Sequence, residues 1–158
     1  MIQEISPKVF HNEYMQMKPK SGDTLFAFRN KEVLAHLDED GRPSFPEVSA
    51  AGEYPLQYLF RIDGQAFYLL IEEQELQVPG FQYEKTVLFR RTDPQDLCFA
   101  GMTAYHLYTW YRDNRFCGRC GHETEVYDAE RAMRCPECGN LIYPRIAPAV
   151  IVGVTDGT

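Results

Sequence analysis

Arg115-Phe116-Cys117-Gly118-Arg119-Cys120-Gly121 opens the stretch that decides the fold, and Cys135-Pro136-Glu137-Cys138-Gly139 closes it. Each is a CxxCG knuckle, and fourteen residues lie between Cys120 and Cys135. The CxxC spacing lets two sulfurs on one tight turn reach a single ion. The glycine after the second cysteine supplies backbone angles that turn N–H groups toward the thiolates. Two knuckles complete a tetrahedral shell of four thiolates, the arrangement zinc prefers, with Zn–S of about 2.3 Å. Cys117, Cys120, Cys135 and Cys138 are therefore the expected ligands of a structural Zn2+. With no open coordination position, that ion folds the ribbon and activates no water. A rubredoxin-like iron site uses the same four thiolates. A thioredoxin-like redox pair is disfavoured, because two matched knuckles have no need of each other in redox work.

Working outward, the segment before the first knuckle reads as a helix. Asp93-Pro94 is expected to start it, with Asp as cap and Pro at the first helical position. Leu97, Gly101, Ala104, Tyr108 and Tyr111 recur at spacings of three and four and share one face. The helix should end near Asp113-Asn114 and pass the chain straight to Cys117. After the second knuckle, Tyr143-Pro144-Arg145-Ile146-Ala147-Pro148 is extended by its prolines. Ala149-Val150-Ile151-Val152-Gly153-Val154 reads as a buried strand. Thr155 to Thr158 opens a turn, so the strand is expected to find its partner in a longer parent chain.

Further upstream the pattern turns to β. LQYLFRIDGQAFYLLIEE, residues 56–73, holds two apolar runs around Asp63-Gly64, a pair favoured in type I′ turns. Leu25, Phe26 and Phe28 with Val33-Leu34-Ala35 predict a short hairpin around Asn30-Lys31. Tyr83 to Arg90 reads as a strand, residues 38–55 as loop, and residues 1–20 as a loosely packed entry segment.

The composition sets outer limits. A hydrophobic fraction of 44% and an aromatic fraction of 13% describe a chain able to bury a core. The net charge of −7 argues against a general binder of phosphate backbones. No apolar run reaches the roughly 18–20 residues of a membrane span. Residues 1–20 hold no apolar core of a secretory signal. Five cysteines, four of them in paired CxxC units, suggest metal thiolates in a reducing compartment, and the expected location is the cytoplasm. Cys98 reads as a buried thiol. His11, His36 and His106 have no partner pattern, and His122, beside the first knuckle, is not needed as a ligand because four thiolates already fill the shell. Glu72, Glu73 and Glu75 read as a solvated strand end, with a divalent cation as the alternative. The aromatic residues of 54–68 read as core.

At this point the order of features becomes specific. A helix carrying Trp110 runs into RFCGRCG at 115–121, CPECG follows at 135–139, and then YPRIAPAVI at 143–151. This resembles the NADH pyrophosphatase family of Nudix hydrolases, closely over 93–158 and loosely over 1–92. The resemblance implies an α+β chain. Residues 1–92 would form an N-terminal mixed α/β Nudix-like domain, 93–114 a linking helix, 115–143 the zinc ribbon, and 144–158 the truncated first strand of the Nudix catalytic domain. It implies hydrolysis of NADH or NAD to nicotinamide mononucleotide and AMP, and removal of NAD caps from RNA by related members. It further implies Mg2+ or Mn2+ at the Nudix box of the full-length parent, and a homodimer, with no membrane or DNA partner. By position it assigns substrate contacts to Glu130, Tyr143 and Ile151, with Tyr143 near the nicotinamide end. The bland alternatives are a hydrophobic brace for Tyr143 and a solvated loop charge for Glu130.

The departure is large. The Nudix box, G-x5-E-x7-R-E-x-x-E-E-x-G, fits no stretch of the 158 residues. Its glutamates bind the catalytic metal and position the attacking water, so no catalytic residue is expected in this chain. The competing expectation is a complete zinc-ribbon module that binds a protein or RNA partner, with Arg112, Arg115, Arg119, Arg131 and Arg134 as a basic patch.

Overall fold

A computed structural model describes residues 2–71, 75–90, 93–145 and 150–156. In chain order the strands are β1 (Phe10–His11), β2 (Thr24–Phe26), β3 (Phe28–Arg29), β4 (Glu32–Leu37), β5 (Pro43–Ser44), β6 (Leu56–Ile62), β7 (Gln65–Leu70) and β8 (Gln82–Lys85). Helix α1 (Gln95–Asp113) follows, then β9 (Glu125–Val126), β10 (Met133–Arg134) and β11 (Leu141–Ile142). The chain is α+β, with the four cysteines gathered at one end of a small third sheet.

The first sheet runs β1-β6-β7-β2 and takes its shape from the 56–70 hairpin. Gln65 faces Ile62 across a two-residue loop, as the Asp63-Gly64 pair predicts. Only Asp63 takes a positive φ, 50°, and Gly64 does not, so the type I′ expectation is corrected. Asp63 is also tied to the neighbouring strand region. Its N–H donates to the Val9 carbonyl, and its carboxylate accepts the Val9 N–H at 2.8 Å. Strand β2 lies parallel to β7, Leu25 opposite Tyr68. Parallel neighbours need a long connection, here the whole of residues 27–64.

The apolar runs are continuous because this sheet is buried on both faces. Phe67 and Leu69 of β7 face one cluster with Phe26, Phe60 and helix residues Ala100, Ala104 and Tyr108. Ala66, Tyr68 and Leu70 face a second cluster with Leu25, Leu34 and Leu76. Alternate residues of one strand thus serve two cores. Of the 54–68 aromatics, Tyr58, Phe60, Phe67 and Tyr68 are buried there, while Tyr54 is exposed, which corrects the expectation that all of them are core. Leu59 has no opposite number on β7: the register passes from Tyr58–Tyr68 to Phe60–Phe67. This bulge puts Leu59 and Phe60, consecutive in sequence, into the same cluster.

The second sheet pairs β3, β4 and β5, with β8 against β4. The expected hairpin around Asn30-Lys31 is present, Phe28 opposite Val33, and Asn30 carries φ 55°. Within the expected loop of 38–55, β5 and a 3-10 turn over Val48–Ala51 form. The strand expected over 83–90 is shorter: β8 ends at Lys85, and Thr86–Arg90 coils into a 3-10 turn that puts Phe89 into the core.

Helix α1 buries Gly101, Ala104, Tyr108 and Tyr111, the face read from the spacing, while Leu97 is only partly covered. Its start is corrected by one residue. Pro94 is extended, ψ 148°, at the cap position, and no side chain caps the helix, so Asp93 does not do so. The face it buries belongs to the same cluster as β2, β6 and β7. Met133 of β10 joins that cluster, so the ribbon is docked on the helix and sheet.

The expected buried strand at 149–154 is overturned where it is described. Residues 150–156 form no strand, and Val150, Ile151, Val152 and Val154 are exposed, Ile151 fully. An apolar run becomes a strand only against a hydrogen-bonding neighbour, and no described residue provides one. Ala149, Glu72 and Glu73 lie outside the described residues. Glu75 pairs with Arg29 at 2.6 Å.

Candidate functional site

The two knuckles fold alike. Gly121 N–H donates to the Cys117 carbonyl at 2.8 Å, and Gly139 N–H to the Cys135 carbonyl at 3.0 Å. Both glycines sit at positive φ, 79° and 68°, where a side chain would strain the turn. Each knuckle is closed from outside: Cys117 N–H donates to the His122 carbonyl, Cys135 N–H to the Asn140 carbonyl. His122 thus serves through its backbone.

The four Sγ atoms lie within 4.8 Å of one another. Cys117–Cys138 is 3.6 Å, Cys120–Cys135 3.4 Å and Cys120–Cys138 3.5 Å. A tetrahedron of 2.3 Å Zn–S bonds has edges of about 3.8 Å, so the donor set fits zinc with a small outward relaxation. The Arg119 N–H, at 3.4 Å, and the Asn140 amide, at 3.7 Å, point at Cys117 Sγ. Backbone N–H groups of Arg119 and Cys120 pull the Cys117 thiol down to about 6. At Cys120 the His122 N–H also lowers the thiol. Burial and the hydrogen bonds shared with the other sulfurs outweigh it, pushing Cys120 up to about 12. Packed thiols cannot all ionise alone; a bound cation stabilises all four thiolates together. The cluster is a structural zinc site.

The ladder of the ribbon brings two of the three expected contacts together, Glu130 and Tyr143. Met133 pairs with Ile142 and Arg134 with Leu141. Extending that register carries Tyr143 alongside the 130–132 turn. Tyr143 OH donates to Glu130 Oε1 at 2.8 Å, and both side chains face solvent. The Glu130 hydrogen bond, with some burial, raises the Tyr143 phenol above its ordinary value. Ile151 is on the exposed segment beyond the ribbon. Beside Tyr143, an open groove of about 360 Å³ is lined by His106, Trp110, Asn114 and Arg145.

Four of the five arginines of the expected basic patch are engaged by partners within the chain. Arg112 pairs with Asp113 at 3.0 Å, Arg115 with Glu123 at 3.4 Å, and Arg134 lies over the Tyr127 ring. Arg131 turns inward and donates to the Leu59 carbonyl and to Asn12 Oδ1. Cys98 is buried in α1, and His36 Nδ1 lies 2.9 Å from the Gly80 carbonyl. Sequence spacing missed the contacts that dock the ribbon. Tyr14 OH donates to the Tyr127 carbonyl, and the Gln16 amide to that of Asp128. These partners are more than a hundred residues apart, and no local pattern marks them.

Among the described residues, no helix is long and apolar enough to cross a membrane. The NADH pyrophosphatase zinc ribbon domain family matches residues 112–143. The chain is similar to NAD-capped RNA hydrolase NudC of Pseudomonas aeruginosa (strain LESB58), 38% identical over 135 residues, which is 79% of this chain and 48% of that protein. NAD-capped RNA hydrolase NudC of Stutzerimonas stutzeri (strain A1501) is 37% identical over 66% of this chain and 39% of its own length. Its counterpart in Pseudomonas fluorescens (strain Pf0-1) is 34% identical over 70% of this chain and 39% of its own. The chain thus spans about half the length, or less, of the curated relatives it matches. The ribbon, its four sulfurs and the shared length place the chain in the NudC-like NADH pyrophosphatase family of Nudix hydrolases.

Proposed function

We propose that these residues are the N-terminal and zinc-ribbon portion of an NAD(H) pyrophosphatase that splits NADH or NAD into nicotinamide mononucleotide and AMP and removes NAD caps from RNA. The observation that carries the reading is the Tyr143–Glu130 hydrogen bond at 2.8 Å on the exposed edge of the ribbon. It joins an aromatic face, able to stack on a nicotinamide ring, to a carboxylate, able to accept from an amide or a ribose hydroxyl. The relatives' names, NAD-capped RNA hydrolase, support the substrate class.

In this reading the 158 residues do not hydrolyse pyrophosphate, since no stretch carries the glutamates of a Nudix box. They supply scaffold, a homodimer surface and part of the nicotinamide pocket, and Mg2+ or Mn2+ acts in the full-length parent. Residues 1–92 are the Nudix-like unit, 93–114 connect it to the ribbon of 115–143, and 144–158 lead into the catalytic part. Ile151 would enter the pocket as an apolar wall once that part covers it. The thiolate-rich ribbon fits a reducing cytoplasm.

Calorimetric titration of the zinc-loaded chain with nicotinamide mononucleotide tests the reading. Binding is expected, with Tyr143→Ala and Glu130→Gln each weakening it by about tenfold, the scale of one oriented contact. Incubation with NADH and Mn2+ should release no AMP. Absence of nucleotide binding, or AMP release by the pure chain, overturns the corresponding half of the proposal.

A further inference from the structure

The bulge in β6 has a partner in the ribbon. Leu59 faces no residue across β7, and its carbonyl accepts from Arg131 Nη2. Arg131 Nη1 holds Asn12 Oδ1 at 2.7 Å. Arg131 is the residue after Glu130. The same turn is closed by Ala132 N–H to the Glu130 carbonyl at 2.7 Å and Tyr127 N–H to the Ala132 carbonyl at 2.9 Å. Gln16 seizes the far side of the turn through the Asp128 carbonyl, at 2.9 Å. The turn that presents Glu130 is therefore anchored at both ends to the entry segment and to the bulge. Among the described residues no carboxylate pairs with Arg131; its two terminal nitrogens donate to neutral oxygens that fix geometry, and its Nε is buried without a partner.

We propose that Arg131 is a positioning residue, held by Asn12 and the Leu59 bulge, that fixes the Glu130 carboxylate against the Tyr143 hydroxyl. An entry segment read from sequence as loosely packed then becomes part of the site. Bulges re-aim or hold groups beside functional sites, and a misplacement of about 1 Å is enough to cost a binding contact. The consequence for nucleotide binding rests on the function proposed above; the placement of Glu130 does not.

The test follows the Tyr143 hydroxyl by 13C-tyrosine NMR titration of the zinc-loaded chain. The titratable groups facing it are Glu130 and Tyr127, with His106 and Arg145 lining the adjoining groove. Glu130→Gln sets the value of Tyr143 without the carboxylate. Arg131→Ala is expected to shift the Tyr143 titration downward most of the way to that value, and the doubly substituted Asn12→Ala/Gln16→Ala chain part of the way. Zinc content should stay at one per chain in both. Arg131→Lys, which reaches only one of the two oxygens, should fall between. Should Arg131→Ala fail to fold, the double variant, altered only at exposed side chains, decides. A Tyr143 titration that coincides with the unsubstituted chain in the folded variants overturns the proposal. If the titration shifts but nicotinamide mononucleotide binds none of the chains, the anchoring of Glu130 stands and the substrate reading falls.

Discussion

A Cβ added at Gly101 would lie 2.0 Å from Phe89 Cε1. In an exposed helix, replacing Gly by Ala stabilises by about 1 kcal/mol. Here Phe89 is 1% exposed and lies tilted against Phe45, ring centroids 6.0 Å apart. Overpacking costs about 1–3 kcal/mol, so Gly101→Ala should lower stability by a net of up to about 2 kcal/mol. Urea unfolding checks the sign: a raised midpoint counts against this packing. The helical face through Gly101 was legible from spacing. The ring that occupies it was not, because the local pattern of 83–90 reads as strand while the fold coils 86–90 to bring Phe89 inward. At the same scale, the roles of Cys117, Cys120, Cys135 and Cys138 were legible because ligand geometry is encoded within each four-residue turn. Arg131 resembled a surface charge, since its acceptors are Asn12 and the bulged Leu59.

Among the elements, the ribbon is the one that depends on a ligand. Its strands are two residues each, and short strands alone do not pay the entropy of ordering. Structural zinc contributes about 10–16 kcal/mol in zinc-finger peptides, as much as a whole domain's net stability of about 5–15 kcal/mol. Metal analysis should find one zinc per chain. Chelation, or Cys135→Ser, should remove it and expose the amides of 115–143 to hydrogen exchange, while amides of β6 and β7 stay protected by their own two clusters. Retention of ribbon protection without metal would contradict this division. The hairpin of β6 and β7 and the helix were legible as elements, each having a local period and a breaker at its end. The parallel seat of β2 beside β7 was not, because nothing in Thr24–Phe26 specifies a partner some forty residues on. The segment 150–154 shows the converse: a strand-like composition stays unpaired where no described neighbour offers a backbone.

For the whole molecule, buried tyrosines set the alkaline limit. Burial pushes Tyr68, 0% exposed, up to about 12 and Tyr111 further still; Arg131 opposes the second shift only in part. Tyr58 and Tyr14 are also raised, by burial first. A phenol with a raised folded value binds its proton more tightly in the native state than in the unfolded chain. Its contribution is complete below the ordinary value of 10 and is lost as pH rises toward the folded value. Stability should therefore decline between about pH 10 and 12, with tyrosinate absorbance rising as the chain unfolds. Phenol titration complete near pH 10 in a chain that remains folded would contradict the burial.

The sequence by itself determined the metal clasp, the helix that leads into it, the central hairpin and the family likeness. Each is written in short-range spacing, where local backbone geometry suffices to bring the residues together. Tertiary structure alone decided that one sheet is buried on both faces, that helix α1 belongs to its core, and that an entry segment grips the ribbon. Those outcomes depend on contacts between distant residues. Which apolar face meets which, and which carbonyl a bulge leaves for an arginine, is settled only when the whole chain packs at once.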